Sequence, residues 1–408
     1  MGADGKLSLD LVKKCKKIKP IDILVGIISK DVESTILHVL NVVNEGLYGY
    51  FPDYRKAIAV SVGQSTDRTF ELAELFQPYN SIEKIVTEDI GGKGKGAGIG
   101  TILKIAKLMD AKSVVLVDGD LLSIRPKWIE SIAGPILYGR ADLTVPFYIR
   151  DKYDGVITNM LAYPFTRALY CVDIRQPIAG EFGLSKSLYN ILLKHPLYPS
   201  DFGIDIFILT TAAAEGMRIK ESLYTLKIHE STTRYLEPEK MLIPMFRQVT
   251  GEMFELAKYY EDVWRNRERN GKNNFYRESF VQRPIPVKVN LKNMEEYLES
   301  EFSRLRGAVQ RFLPKDIIEK LDRSRKIADV LDDETWAKTV YSFAASYKSL
   351  DKDVDKYVLL ECLKPLWMGR FVHYAKEVKN MDMNGAEKVI QRQAEVFEEL
   401  FDYFASIY

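Results

Sequence analysis

Four short β-rich runs, each followed by a stretch with helical spacing, constrain this chain more than any other feature. They lie at residues 21–28 (IDILVGII), 57–62 (AIAVSV), 82–87 and 113–117 (SVVLV). Strands alternating with helices in this way are the pattern of an α/β domain built on a largely parallel sheet. The intervening helices are expected at 31–45, at 69–76, from the glycine cluster through Met109, and from about Pro126. A proline at the first helical position costs no hydrogen bond.

The texture changes near residue 250. Glycines and strand-like runs thin out, and amphipathic helices are expected at 294–306, 357–378 and 386–404. Pro284 and Pro286 interrupt helix and make 283–287 a connector. Leu359, Leu363, Leu366, Trp367 and Phe371 recur at helical spacing as one packed bundle face. The expected division is therefore an α/β domain over 1–250 and an all-helical region over 251–408.

Composition narrows the functional classes. The 408 residues are 46% hydrophobic and 28% charged, which excludes wholesale disorder. A net charge of +1 argues against nucleic acid or an anionic membrane as the main partner. Cys15, Cys171 and Cys362 are far apart and form no CxxC pair, which speaks against disulfides and zinc-thiolate sites and for a reducing cytoplasm. The lysine-rich run at 13–19 before the first apolar run superficially resembles a signal peptide. Asp22 interrupts that run, however, and the segment reads as a solvated lead-in to a buried strand. No run approaches the ~18 apolar residues that span a bilayer.

The sharpest chemical signal is Asp118-Gly119-Asp120, directly after the fourth apolar run. Carboxylates at i and i+2 point to one side of an extended chain. At the carboxyl end of a buried strand they occupy the place where open α/β sheets bind ligands. A divalent metal on a diphosphate is the economical cation for such a pair. The glycine cluster 91–98 is the second signal. It lacks Walker A spacing, and Lys93 and Lys95 within it suit a phosphate, which takes a point charge and close backbone approach. Its Gly92-x-Gly94-x-x-Ala97 run keeps a dinucleotide-dependent oxidoreductase open as a rival. A third group comprises Arg175-Gln176-Pro177-Ile178-Ala179-Gly180-Glu181, then Asp201-Phe202-Gly203-Ile204-Asp205, and Lys227-Ile228-His229. With four histidines in the chain, His229 is a candidate metal ligand.

In order, S-T-D after a strand, G-K-G-x-G, D-x-D, Q-P-x-x-G-E, F-G-I-D and a histidine resemble the GT-A-fold retaining glycosyltransferases that make sugar–glycerate compounds. This group includes the mannosylglycerate, glucosylglycerate and glucosyl-3-phosphoglycerate synthases. The motifs span roughly residues 21–245. The resemblance implies a GT-A domain that moves glucose or mannose from a nucleoside-diphosphate sugar to the 2-hydroxyl of D-glycerate or 3-phosphoglycerate. It implies a divalent metal, Mg²⁺ or Mn²⁺, bound by Asp120 and His229. Ile28, Asp31, Gly63, Lys95 and Asp118 fall where the family binds the nucleotide sugar. Arg150, Thr158, Ile178, Ala179, Phe202 and Met241 fall where it holds the acceptor. Asp205 and Glu181 are the acids nominated for catalysis. A homodimer or larger homo-oligomer is expected.

Two departures bear on specificity. The family's Asp-x-Gly-Ser-Thr-Asp turn reads Val62-Gly63-Gln64-Ser65-Thr66-Asp67, so its first acid is missing and the base is open. Phosphoglycerate-using relatives carry an arginine in a G-R-V-T run that here reads Gly155-Val156-Ile157-Thr158. Without that planar fork plain D-glycerate is the better acceptor, with Lys152 the nearest substitute cation. A sugar nucleotidyltransferase and a catalytically inactive sugar-nucleotide-binding module remain as alternatives.

Overall fold

The structure is a computed structural model and describes residues 7–90, 92–230, 238–268 and 283–408. Its sheet consists of β1 Ile23–Ser29, β2 Lys56–Val62, β3 Ile82–Glu88, β4 Ser113–Asp118, β5 Leu143–Ile149, β6 Phe182–Ser185 and β7 Ile219–Leu226. The strand order is β3-β2-β1-β4-β6-β5-β7. β1 runs parallel to both β2 and β4, and β2 runs parallel to β3, whereas β6 lies antiparallel to β4 and to β5. The chain therefore winds outward through β1, β2 and β3, then returns to place β4 beside β1. That reversal opens a crevice at the carboxyl ends of β1 and β4, the position where such sheets bind ligands.

Residues on both faces of the central strands are buried. Ile23, Val25, Ile58, Val60, Val114 and Leu116 have no solvent exposure. Hence these strands read as continuous apolar runs and not as alternating ones. Helix α1 (Leu9–Ile18) precedes the sheet, with Leu11 and Cys15 buried and its lysines outside. Helices α2 (Ile36–Tyr50), α3 (Thr69–Leu75), α4 (Lys95–Leu108) and α5 (Pro126–Leu137) connect the parallel strands, and Pro126 opens α5 as the sequence predicts. α4 lies very close to the sheet: a Cβ on Gly26 would stand 2.3 Å from Ile102 Cγ2.

By its contacts the chain divides into two units. One comprises Met1–Tyr148 with Ile178–Met241, the other Ile149–Pro177 with Leu242–Tyr408. This differs from a single cut at residue 250. The second unit takes up 149–177, which beyond the end of β5 contains helix and no strand. A π-helical turn, Thr158–Ala162, leads into α6 (Tyr163–Tyr170). The first unit also holds α7 (Lys186–Leu192) and α8 (Ile204–Ala214).

The second unit continues with α9 (Pro238–Tyr259), whose start belongs to the first unit's residue range, and α10 (Glu261–Arg265). It goes on through α11 (Leu291–Val309), α12 (Lys315–Arg323), α13 (Asp333–Lys348), α14 (Asp353–Glu377), α15 (Met383–Glu399) and α16 (Phe401–Ile407). Its core is aromatic. Trp264 stacks on Phe404, Phe404 stacks on Tyr341, and Trp367 stacks on Phe246. Leu359, Leu363, Leu366, Trp367 and Phe371 are buried on α14, as their spacing predicts. No helix among the described residues is long and apolar enough to cross a membrane.

Candidate active site

Beyond Asp118 the chain turns through Gly119, whose N–H donates to the Ile28 carbonyl at 2.8 Å. A Cβ on Gly119 would stand 2.6 Å from Ser29 Oγ, so the turn has no room for a side chain. The next residues run against 228–230 as a short antiparallel contact. Leu122 N–H donates to the Ile228 carbonyl, Glu230 N–H donates to the Asp120 carbonyl, and Leu121 bridges His229. This backbone pairing brings His229 to Asp120, with Nδ1 and Oδ2 3.5 Å apart. Residues 109 positions apart in the sequence are thus joined by main-chain bonds on either side.

A charged cluster lies deeper in the same unit. Lys95 opens α4, and its Nζ lies 3.1 Å from Asp118 Oδ1 and 3.2 Å from Asp205 Oδ2 on α8. Lys227, at the end of β7, places Nζ 2.8 Å from Glu181 Oε2, 3.0 Å from the Ala179 carbonyl and 3.5 Å from Asp118 Oδ2. Tyr148 O–H donates to Glu181 at 2.6 Å. Gly180 seals the cluster in a left-handed conformation (φ 97°), where a Cβ would stand 2.8 Å from both Asp118 Oδ2 and Lys227 Nζ.

Burial and pairing divide the roles of these acids. Burial opposes ionisation of Asp118, but Lys95 and Lys227 outweigh it and hold that carboxyl well below the usual range. Burial also works against the charge on Lys95; Asp118, then Asp205 and Glu181, keep it protonated nonetheless. Burial raises Asp205 above its usual value despite Lys95, and its Oδ1 is buried without a hydrogen-bond partner. Glu181 has no exposed surface, and burial pushes it up to about 7 against the pull of Lys227.

The sign of the Glu181 effect is testable. Its folded-state value lies above the ordinary carboxyl value of 4.5, so its stabilising contribution is complete below that value and is lost as pH rises through about 7. Thermal unfolding from pH 5 to pH 8 should therefore show the native chain losing up to about 3 kcal/mol relative to Glu181→Gln. Parallel pH profiles for the two proteins would show that the site does not strain this carboxyl.

The structure gathers the sequence-predicted residues unevenly. Lys95, Asp118, Asp205 and Glu181 converge, and Asp120 meets His229. Glu181, nominated with Asp205 for catalysis, has no exposed surface and is bonded to Tyr148 and Lys227. Ile28 and Gly63 stand half-buried at the ends of β1 and β2. Asp31 ties two loops together: its Oδ1 accepts from Thr66 N–H at 2.6 Å and from Thr66 Oγ1, while its own N–H donates to Ser65 Oγ.

The glycine cluster also differs from the expectation of a phosphate cradle. Gly91 lies outside the described residues. Gly96 and Ala97 N–H donate to the Asp201 and Ser200 carbonyls, and a Cβ on Gly96 would stand 2.2 Å from the Pro199 carbonyl oxygen. These glycines admit the 199–201 backbone, and from the cluster it is Lys95 that reaches the acids.

The acceptor candidates fall in both units. Ile178 is half-buried, Ala179 is buried and Phe202 is exposed in the first unit. The Met241 side chain lies outside the described residues. Arg150 and Thr158 belong to the second unit, where Arg150 approaches Asp154 at 3.5 Å and Thr158 begins the π-helical turn. Lys152 does not substitute for the missing arginine: its Nζ is bonded to the carbonyls of Val378, Lys379 and Met381. Arg175 is likewise committed, in a two-point pair with Glu387. Lys227 stands in the third motif group of the sequence without a role assigned to it, and Tyr148 is not among the predicted site residues. A lysine two residues before the histidine was the available signal for Lys227.

The donor set at Asp120 and His229 fits a divalent cation. A carboxylate oxygen and an imidazole nitrogen, both half-buried, face one another at 3.5 Å. Asp118, on the other side of the Gly119 turn, pairs with the ammonium groups of Lys95 and Lys227. Two protein ligands leave positions for phosphate oxygens and water, the usual arrangement for Mg²⁺ and Mn²⁺.

The α/β architecture with its ligand crevice at the carboxyl ends of β1 and β4 is the arrangement expected of a nucleotide-binding domain. No family model matches the chain, and no curated protein matches it. Among solved structures it is similar to glucosyl-3-phosphoglycerate synthase from Mycobacterium tuberculosis in complex with Mn²⁺, UDP and phosphoglyceric acid. That likeness has 21% identity and a TM-score of 0.46, and covers 60% of this chain and 82% of that one. The complex of the same synthase with Mn²⁺, UDP-glucose and phosphoglyceric acid has 21% identity and a TM-score of 0.46, covering 60% and 83%. A structure described as a mycobacterial protein has 22% identity and a TM-score of 0.46, covering 62% and 82%.

Proposed function

We propose that this chain is a metal-dependent retaining glycosyltransferase that moves glucose or mannose from a nucleoside-diphosphate sugar to the 2-hydroxyl of D-glycerate. The observation that carries this reading is the Asp120–His229 pair, standing at the end of β4 beside the Lys95–Asp118–Asp205 cluster. A divalent cation held by Asp120 and His229 would neutralise charge on the departing diphosphate.

The chain's own groups account for the remaining steps. Lys95 is held protonated and supplies a fixed positive charge beside the leaving group, in a site already arranged before charge develops there. Asp118, kept ionised, accepts from a ribose hydroxyl. Asp205 offers its unpartnered Oδ1 to a sugar or acceptor hydroxyl and orients the attack. In front-face attack the acceptor proton passes to the departing phosphate oxygen, and no enzyme carboxylate becomes glycosylated. Glu181, through Lys227, holds the second cation against Asp118. The assignment of Arg150 and Thr158 to the acceptor carboxylate rests on the sequence resemblance.

The acceptor is the finer part of the proposal. With arginine absent from 155–158 and Lys152 bonded to three carbonyls, the phosphate of a 3-phosphoglycerate acceptor lacks a charge-assisted partner there. A donor-by-acceptor matrix of UDP- and GDP-sugars against both acceptors, with and without Mn²⁺, tests the reading. Turnover is expected only with metal, with kcat/KM for D-glycerate at least about tenfold above that for 3-phosphoglycerate. The reverse preference would reject the acceptor assignment. Pyrophosphate release with a sugar phosphate would favour nucleotidyl transfer.

A further inference from the structure

Thr158 opens a turn whose shape is set by a proline six residues on. In the π-helical turn Thr158–Ala162 the Tyr163 N–H donates to the Thr158 carbonyl, five residues back and not four. Pro164 has no N–H to give. In α register that N–H would bond the Met160 carbonyl, and in π register the Asn159 carbonyl. Asn159 and Met160 are both buried, and a buried carbonyl without a donor is costly.

Other helices of the same unit supply the two donors. Trp336 Nε1–H on α13 donates to the Met160 carbonyl at 2.5 Å, and Gln393 Nε2–H on α15 donates to the Asn159 carbonyl at 2.8 Å. Neither side chain has exposed surface. The Gln393 amide is held in one orientation, because Arg370 Nε on α14 donates to its Oε1 at 2.7 Å. Arg370 is itself fixed: its other nitrogens donate to the Leu331 carbonyl and to Asp333. The turn is also tied to the loop before it. Asn159 Nδ2 donates to the Asp154 carbonyl at 2.9 Å, and the Asp154 carboxylate stands 3.5 Å from Arg150.

We infer that Trp336 and Gln393 are positioning residues for the acceptor substrate: they hold the π-helical turn in register and so place Thr158 and the Arg150 segment. This inference rests on the proposed assignment of Arg150 and Thr158 to the acceptor carboxylate. A slip to α register would hand the Tyr163 N–H to the Asn159 carbonyl and swing Thr158 relative to α6. Apolar packing alone does not choose between the registers, since it satisfies neither of the carbonyls that Pro164 leaves without a main-chain donor. Two directed hydrogen bonds do choose. They favour the π register, in which the main chain has no N–H for Asn159.

The test is steady-state kinetics of the full chain with whichever of D-glycerate and 3-phosphoglycerate it turns over. Trp336→Phe keeps an aromatic ring and removes the N–H; Gln393→Leu removes the amide. Each should raise KM for the acceptor substrate at least about tenfold, since a misplacement of about 1 Å in a substrate-holding group is enough for that. Donor KM and nucleoside-diphosphate binding with Mn²⁺ should stay as in the native chain, and kcat should fall less than KM rises. Tyr341→Phe removes a bond between the same two helices, from Tyr341 O–H to the Phe397 carbonyl, and should leave the acceptor KM unchanged. Adding Pro164→Ala to Trp336→Phe returns a main-chain donor to Met160 in α register. The melting temperature should then recover while the acceptor KM stays raised. An acceptor KM unchanged in both single variants, raised as much by Tyr341→Phe, or restored together with the melting temperature by Pro164→Ala overturns the inference and leaves the glycosyltransferase reading standing. No turnover of either acceptor by the native chain overturns that reading and the inference together. If Gln393→Leu does not fold, Trp336→Phe and its double variant decide the matter.

Discussion

On the proposed reading, replacing Asp120 by alanine should lower kcat/KM for sugar transfer by at least about 10³-fold, because charge on the departing diphosphate would then develop without a cation. The variant should melt at the native temperature. The Asp120 main-chain carbonyl keeps its bond from Glu230 N–H whatever the side chain, and the Leu121–His229 bridge is also main-chain. Calorimetry separates the cause from general damage. Nucleoside diphosphate should bind the variant with the same affinity whether or not Mn²⁺ is added, whereas the native chain should bind it more tightly with the metal. Near-native turnover in Asp120→Ala would show that the cation, if any, lies elsewhere.

Lys95→Met affects both stability and chemistry. Its ammonium group is shared between Asp118 and Asp205 in a largely buried setting. Removing one partner of such a cluster costs about 3 kcal/mol or more, since the remaining carboxylates must either stay uncompensated or take up protons. Asp205, already raised by burial, is the acid that would protonate first. A drop in kcat of about 10² to 10³ is expected from loss of a preorganised charge, together with a lower melting temperature that recovers toward acid pH. Lys95→Arg keeps the charge and should recover stability more than rate, because the planar fork does not reproduce the ammonium position. Equal loss in both variants would place the importance of Lys95 in packing and not in charge.

The half of the fold built on parallel strands was legible because those strands are buried on both faces. The runs at 57–62 and 113–117 lie within one residue of β2 and β4. The other half was harder to read. β5 is broken by Thr144 and Pro146, β6 has four residues, and β7 carries the polar run Lys220-Glu221-Ser222, so none reads as an uninterrupted β-branched apolar run. The pairing of Asp120 with His229 followed from motif order. The enclosure of Glu181 did not, since it depends on Tyr148 and Lys227 arriving from two strands absent from the sequence-level reading. The glycine cluster was misleading for a physical reason. A backbone that must approach a phosphate and one that must approach another strand of chain both require a missing Cβ, and composition alone cannot tell the two apart.

The bonds from Gly96 and Ala97 to the Asp201 and Ser200 carbonyls have a consequence for engineering. The peptide carrying the Lys95 ammonium and the one leading to the Asp205 carboxylate are stitched into a single mechanical part. On the proposed reading, grafting a foreign loop at 199–203 to broaden acceptor range would drag Lys95 along with it, so donor turnover should suffer even where every donor contact had been left untouched. Libraries that vary 94–97 and 199–203 jointly should outperform those that treat the two segments as independent modules.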